Sequence, residues 1–373
     1  MGCGDCHCIV YGAHSGSKEV RMTVVFYMNC VSAHQLPLAR EVAKLVVHNQ
    51  CLEGGESGFL YVDAGVGGQP MQTLKASDDL GVKVAKIDTD EAREAVETWD
   101  VVVTGLRDLE LIARRESKGL RTFYYSERWF KPIEIGLKVF GLRFSIPGWV
   151  RMFAPRYGRM AMQFVNWANT DPGARVLAIG PHARRDFLRM GVRDDKIIPW
   201  GYFVSPSVEK RCRCRKAGNP LKVLWAGRDI PLKHVPDIEC AVALANKNLS
   251  KVIDCSLIDT QHALFVTFTK LTGVSPAVVR EAMREHDTFV FASNAYEGWG
   301  AVVSEALEEG MNVIGTWECG AAPALLPAAR LYHCGDERAL AQLLEKEYNN
   351  ELPQCSIGEW TAKNAAKRLM EMI

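Results

Sequence analysis

From Met22 onward, short runs of β-branched and aromatic residues alternate with longer stretches of helical period. This alternation constrains the fold more than any other feature of the chain. Thr23 to Tyr27 has the composition of a buried strand, and Leu38, Val42, Leu45 and Val46 then recur at helix spacing on one apolar face. Phe59 to Val62, Val101 to Val103, Phe123 to Tyr125 and Val176 to Ile179 are further strand candidates. Glu91 to Thr98, Leu109 to Lys118 and Arg184 to Met190 suit the intervening helices. Alternation of this kind predicts βαβ units and a parallel sheet.

The rhythm breaks between Ser205 and Pro220, which holds basic residues and a Gly-Asn-Pro turn. A second series follows in Val223 to Ala226, Val252 to Ile258, Thr288 to Ala292, and Val313 with Ile314. The expected architecture is α/β, with two Rossmann-like domains facing each other across a cleft, the usual place for a ligand. Residues 22–204 form the first domain and 221–357 the second, with 1–21 a disordered extension. The segment 358–373 carries Ala362, Ala366, Leu369, Met370 and Ile373 at helical spacing, as a closing helix.

With 373 residues the chain is long enough for two such domains, and its 48% hydrophobic and 24% charged residues exclude disordered and fibrous classes. Lys+Arg 45 against Asp+Glu 44 leaves a net charge of +1, which argues against a nucleic-acid binder. No apolar run reaches the roughly 18 residues that span a bilayer, and no secretory leader opens the chain. The expectation is a soluble, cytoplasmic protein whose 12 cysteines are reduced thiols. Cys3, Cys6, Cys8 and His7 carry zinc-compatible donors but sit in a terminus with no apolar support, so no metal site is assigned. Cys212 and Cys214 lie in a solvated basic linker.

The chemistry concentrates in Ser293-Asn-Ala-Tyr-Glu297-Gly298-Trp299-Gly300, after a strand and before a helix that carries Glu305. Gly298 and Gly300 let the backbone approach a ligand where the chain turns. The helix N-terminus presents unpaired N–H groups and a partial positive charge, which suit a diphosphate. Glu305, about one turn inside that helix, is placed to accept hydrogen bonds from ribose hydroxyls, and Glu297 before the turn to hold sugar hydroxyls. Two glutamates eight apart occur by chance in many chains, and Glu305 alone would read as a surface helix residue. The second constellation is Val223-Leu-Trp-Ala-Gly227-Arg228-Asp-Ile-Pro-Leu-Lys233, a strand ending in glycine with two cations five apart. Arg offers a planar fork and Lys a mobile point charge, both suited to phosphate oxygens and to the charge that accumulates on a departing diphosphate.

Glu297 and Glu305 around the Gly-x-Gly loop, preceded by Gly227-Arg228 and Lys233, resemble the retaining glycosyltransferases of family four, which have the GT-B fold. The likeness covers most of the chain from about Met22. It includes Ile198-Pro199-Trp200-Gly201, similar to that family's Pro-Asn-Gly turn, and Tyr125-Ser-Glu127-Arg128, which looks like the bacterial branch that builds capsules and other surface polysaccharides. The resemblance implies a UDP- or GDP-sugar donor on the C-terminal domain and a saccharide or lipid-linked acceptor on the N-terminal one. Arg228 and Lys233 would hold the diphosphate, Glu297 the donor sugar and Glu305 the ribose. No divalent metal would be required, and the final helix would pack back on the N-terminal domain.

Two departures from that pattern matter. Ser126, Glu127 and Arg128 stand where many members carry a sugar-contacting His, and Asn29 to Pro37 replaces a glycine-rich loop. His34 either approaches sugar or acceptor from that loop or is a turn histidine satisfied by backbone. Glu127 and Arg128 either contact substrate or pair with each other. Residues 129–164 interleave Lys131, Lys138, Arg143, Arg151, Arg156 and Arg159 with eight aromatics. That composition suits peripheral contact with the inner face of an anionic membrane, or a helical hairpin with an aromatic core. An epimerase of the same fold and a non-catalytic partner subunit are the alternatives to a transferase; a binding module has no need of Arg228, Lys233, Glu297 and Glu305 together. A dehydrogenase is disfavoured, since Gly65-Val-Gly67-Gly68 runs into Pro70 rather than a helix.

Overall fold

A computed structural model describes residues 22–48, 58–66, 80–129, 155–205, 215, 218–252 and 264–373. The first sheet is built from β1 (Val24–Met28), β2 (Phe59–Asp63), β3 (Val84–Lys86), β4 (Val101–Thr104), β5 (Arg121–Ser126), β6 (Arg175–Ile179) and β7 (Ile197–Trp200), in the order β3-β2-β1-β4-β5-β6-β7. Every pairing is parallel. β1 is an interior strand, third in that order, and is buried along its whole length, as expected for a near-continuous apolar run covered on both faces. The covering helices are α1 (Leu36–His48), α2 (Asp90–Thr98), α3 (Leu109–Ser117), α4 (Pro155–Thr170) and α5 (Pro181–Met190). Side-chain caps mark where helices begin: Thr89 Oγ1 accepts from the Ala92 amide at 3.3 Å, and Asp108 Oδ1 from Leu111 at 2.9 Å.

The second sheet holds β8 (Leu221–Ala226), β9 (Val266–Leu271), β10 (Thr288–Phe291), β11 (Asn312–Thr316) and β12 (Leu331–Tyr332), all parallel in the order β12-β11-β10-β8-β9. Around it lie α6 (Val235–Val252), α7 (Pro276–Glu285), α8 (Ala301–Glu308), α9 (Ala321–Leu325) and α10 (Glu337–Tyr348), with α6 and α10 packed together. The last helix, α11 (Ala362–Glu371), packs along α1 of the first half. Each sheet reverses strand order once, between β1 and β4 and between β8 and β10. In open parallel sheets, ligands bind outside the carboxyl ends of the strands at such points.

The two halves are joined by aromatic packing. Trp299 is 1% exposed, and a Cβ on Gly201 would lie 2.5 Å from its indole, so only glycine fits there. Trp299 and Phe203 both pack on Trp360, with ring centroids 5.8 and 6.1 Å apart, and Arg368 of α11 lies 4.9 Å from the Trp200 ring.

Several sequence expectations change. The strand beside β8 is Val266–Leu271; of the expected Val252 to Ile258, all but Val252 lie outside the described residues, and Val252 closes α6. Ile198 to Trp200 is the edge strand β7 rather than a turn, with Pro199 tolerated because an edge needs fewer ladder donors. Of the membrane-contact segment, 130–154 lie outside the described residues. Its ends are core: Trp129 and Phe164 are buried, with ring centroids 4.8 Å apart, against Tyr124 and Phe187. The 1–21 extension, Cys212, Cys214 and residues 67–70 also lie outside the described residues.

Candidate functional site

The loop after β8 and the loop after β10 are locked to one another before any ligand is considered. Gly227 donates to the Leu271 carbonyl at 3.0 Å, and the chain then makes a 3-10 turn over Pro231–Lys233. His234 follows in the left-handed region at φ 49°, its ring bonded through Nδ1 to Asp237 Oδ2 at 2.8 Å in the first turn of α6. The Asn294 amide donates to the Leu232 carbonyl at 2.9 Å, which ties the second loop to the first. Asn294 Oδ1 in turn accepts from the Tyr296 amide at 3.0 Å, an Asx turn that fixes the residue before Glu297.

These constraints bring Lys233 and Glu297 together. Lys233 Nζ donates to Glu297 Oε2, with side-chain exposures of 15% and 23%, and the ammonium lies 5.7 Å from the centre of the Phe291 ring. Arg228 stands exposed at the start of the first loop. The Gly298 and Trp299 carbonyls accept from the Gly320 and Ala321 amides at 3.1 and 2.8 Å, so the N-terminus of α9 pins the glycine loop from behind. Gly300 then opens α8 at φ +86° directly over the Phe291 ring, and no side chain caps the helix. Glu305 is partly exposed on its second turn. The Trp299 side chain faces the interdomain joint and bonds Ser304 Oγ through Nε1 at 3.3 Å, so only its backbone is available to a ligand.

The first sheet meets this cradle through Glu127. Its Oε1 accepts from the Tyr202 hydroxyl at 3.0 Å, and its carboxylate lies so near Gly298 that a Cβ there would overlap it. Burial, and then the Glu127 charge, push the Tyr202 phenol well above its ordinary range, so it stays protonated as a donor. The His34 ring stacks on Tyr202 at 5.8 Å, which places His34 behind the Glu127–Tyr202 pair. Glu127 and Arg128 do not pair with each other: Arg128 Nε donates to Asp186 Oδ2 of α5 at 3.2 Å, both nearly buried. Tyr202 and Asp186 were not legible as site neighbours, since each meets its partner only through the fold.

Lys233, Glu297, Gly298, Glu127, Tyr202 and His34 therefore form one connected group at the carboxyl ends of both sheets. Arg228 and Glu305 stand on the same two loop-and-helix units. Together they offer two cations, a helix N-terminus free of any side-chain cap and carboxylates contributed by both halves.

No protein-family model matches the chain, and no curated protein matches its sequence. Solved structures do match its fold. HepE from Anabaena, crystallised with UDP, superposes with a TM-score of 0.56 at 14% identity, over 94% of this chain and 95% of that one. The lipopolysaccharide outer core galactosyltransferase WaaB in its apo form gives 0.58 at 14% identity, over 94% and 99%. A glycosyltransferase from Rickettsia africae gives 0.52 at 12% identity, over 94% and 97%. At such identities what is shared is the fold, which is the two-domain GT-B arrangement.

Proposed function

We propose that this chain is a retaining glycosyltransferase that moves a sugar from a nucleoside-diphosphate sugar to a saccharide or lipid-linked saccharide acceptor in polysaccharide or glycolipid assembly. The observation that carries the reading is the Lys233–Glu297 pair, held at the switch point of the C-terminal sheet next to Gly298, which the Glu127 carboxylate abuts. The solved structures of HepE with UDP and with UDP-glucose support a nucleotide-sugar ligand for this fold.

The chemistry follows from charge. As the sugar–oxygen bond breaks, the diphosphate gains negative charge and the sugar ring becomes oxocarbenium-like. Lys233 and Arg228 stand where fixed positive charge stabilises that leaving group, and the uncapped end of α8 adds its N–H groups. This supply of charge supports transfer without a divalent metal. Lys233 exchanges its carboxylate partner for phosphate when the donor enters, which releases Glu297 to accept from sugar hydroxyls. Glu305 accepts from the ribose. The acceptor enters from the side of β1 and β5, beside His34 and Glu127, and attacks the face the diphosphate leaves. The anomeric configuration is then retained.

The test is turnover of UDP- and GDP-sugars with saccharide acceptors by the wild type and by Glu297→Ala and Lys233→Ala. Loss of transfer in both variants, with folded protein, supports the assignment. Wild-type turnover in both contradicts it, and release of an altered sugar without acceptor marks an epimerase instead.

A further inference from the structure

His234 follows Lys233 directly and stands in the left-handed region at φ 49°, a conformation that favours glycine. Both of its ring nitrogens are engaged. Nδ1 lies 2.8 Å from Asp237 Oδ2 and Nε2 lies 3.4 Å from Asn294 Nδ2, with both His234 and Asp237 half-buried. Asn294 is buried and shapes the turn into Glu297. Its Oδ1 accepts from the Tyr296 amide at 3.0 Å, and its carbonyl from the Glu297 amide at 3.0 Å.

These contacts fix where the imidazole proton sits. Because Asn294 Oδ1 is taken by an amide N–H, the edge turned to His234 is the NH2, which only donates. Nε2 must then accept, so the proton lies on Nδ1 and is donated to Asp237. The carboxamide is planar, and holding its Nδ2 therefore holds Oδ1 in the Asx turn. The backbone bond from Asn294 to Leu232 sets how close the two loops lie, and the ring sets the rotamer that shapes the turn.

We propose that His234 is a positioning residue of the transfer site: as the neutral Nδ1–H tautomer it relays Asp237 to Asn294 and so sets the turn that presents Glu297. The inference rests on the transferase reading, since it assigns a role in transfer. A second proton on the ring would set Nε2–H against the Asn294 NH2, donor against donor, and open the relay. The titratable groups on the surrounding elements are Asp237, the Lys233–Glu297 pair, and Tyr332 and Cys334. The last two feel the Asp237 charge and are kept protonated chiefly by burial.

The experiment has two parts. Long-range proton–nitrogen correlation spectra of the histidine-labelled full chain at about pH 7.5, with a His234 variant to identify the signals, are expected to show His234 protonated at Nδ1. Turnover of UDP- and GDP-sugars with saccharide acceptors then compares variants. His234→Gly suits the left-handed backbone and is expected to stay folded, yet to lose about tenfold or more in transfer. Gln can offer a carbonyl to Asn294 and an NH2 to Asp237 without titrating. His234→Gln is therefore expected to stay within about threefold of the wild type near pH 7.5, and to hold its rate towards about pH 5.5, where the wild type falls. A proton on Nε2, wild-type turnover in His234→Gly, or parallel pH profiles in the wild type and His234→Gln each overturns the inference and leaves the transferase reading standing. Binding of neither UDP nor GDP by the wild type overturns that reading and this inference with it. The tautomer is read on the wild type, so it decides the matter even where His234→Gly fails to fold.

Discussion

The Lys233 ammonium donates to the Glu297 carboxylate although 64 residues separate them, each carried on the loop that follows one of the two strands flanking the sheet's switch point. The pair satisfies both charges within the protein. It also marks where an incoming diphosphate and its sugar would be divided between a cation and an anion. Lys233→Ala is expected to weaken nucleotide binding roughly 10- to 100-fold, the worth of a charge-assisted hydrogen bond. Its stability cost should be only about 1–2 kcal/mol, because both side chains keep some contact with water. Calorimetry with UDP and GDP, alongside denaturant melts, separates the two effects.

Gly300 is expected to resist substitution for a backbone reason. Its φ of +86° disfavours any side chain, and a Cβ would enter the Phe291 ring. Gly300→Ala should therefore cost about 2–4 kcal/mol, combining left-handed strain with overpacking. Nucleotide affinity should fall with it, since the first turn of α8 must shift. Chemical denaturation monitored by tryptophan fluorescence checks the first part.

A buried polar network closes the second half on the side away from the cleft. Glu347 accepts from Arg330 Nη2 at 2.8 Å, Thr288 Oγ1 at 2.9 Å and Asn312 Nδ2 at 2.7 Å, and Arg330 is fully buried. Glu347→Ala leaves that guanidinium without its carboxylate and is expected to cost about 3–5 kcal/mol. The protein that remains folded should bind nucleotide as the wild type does. A loss of affinity without a loss of stability would contradict this purely structural role.

His182 links the halves by a bond of 2.7 Å in which a protonated Nε2 donates to the Trp317 carbonyl. Burial lowers its folded pKa below the ordinary value of 6.5. A depressed pKa means that the stabilisation is fully present above about 6.5 and is lost as pH falls through the folded value. Melting temperature should drop more steeply between pH 7 and pH 5 in the wild type than in His182→Gln. Parallel pH profiles in the two proteins would refute the role.

Much of this architecture is written locally. The buried run Val24–Met28, the Pro at the head of α5 and the glycine loop before α8 each carry their own signal, so the alternation and the Glu297, Gly298, Gly300 and Lys233 cluster are legible without coordinates. β9 was not legible because Val266–Leu271 interleaves Thr and Lys with its apolar residues and stays only partly buried at the sheet edge, while the more apolar stretch before it draws the assignment. The partners of Arg128 and Glu127 lie 58 and 75 residues away. No spacing rule reaches that far, which is why the sequence suggested an Arg128–Glu127 pair and not Arg128–Asp186. Trp299 was legible as part of the loop but not as an interdomain core residue, because its seat on Gly201 exists only after both halves have docked.

The most direct test of the central claim is a titration of UDP and GDP into the purified chain in the presence of EDTA, with Lys233→Ala and Glu305→Ala beside the wild type. The account predicts that one of the two nucleotides binds the wild type in chelator and that both variants bind it at least about tenfold more weakly. Absence of binding by either nucleotide, or equal affinity in all three proteins, would contradict it.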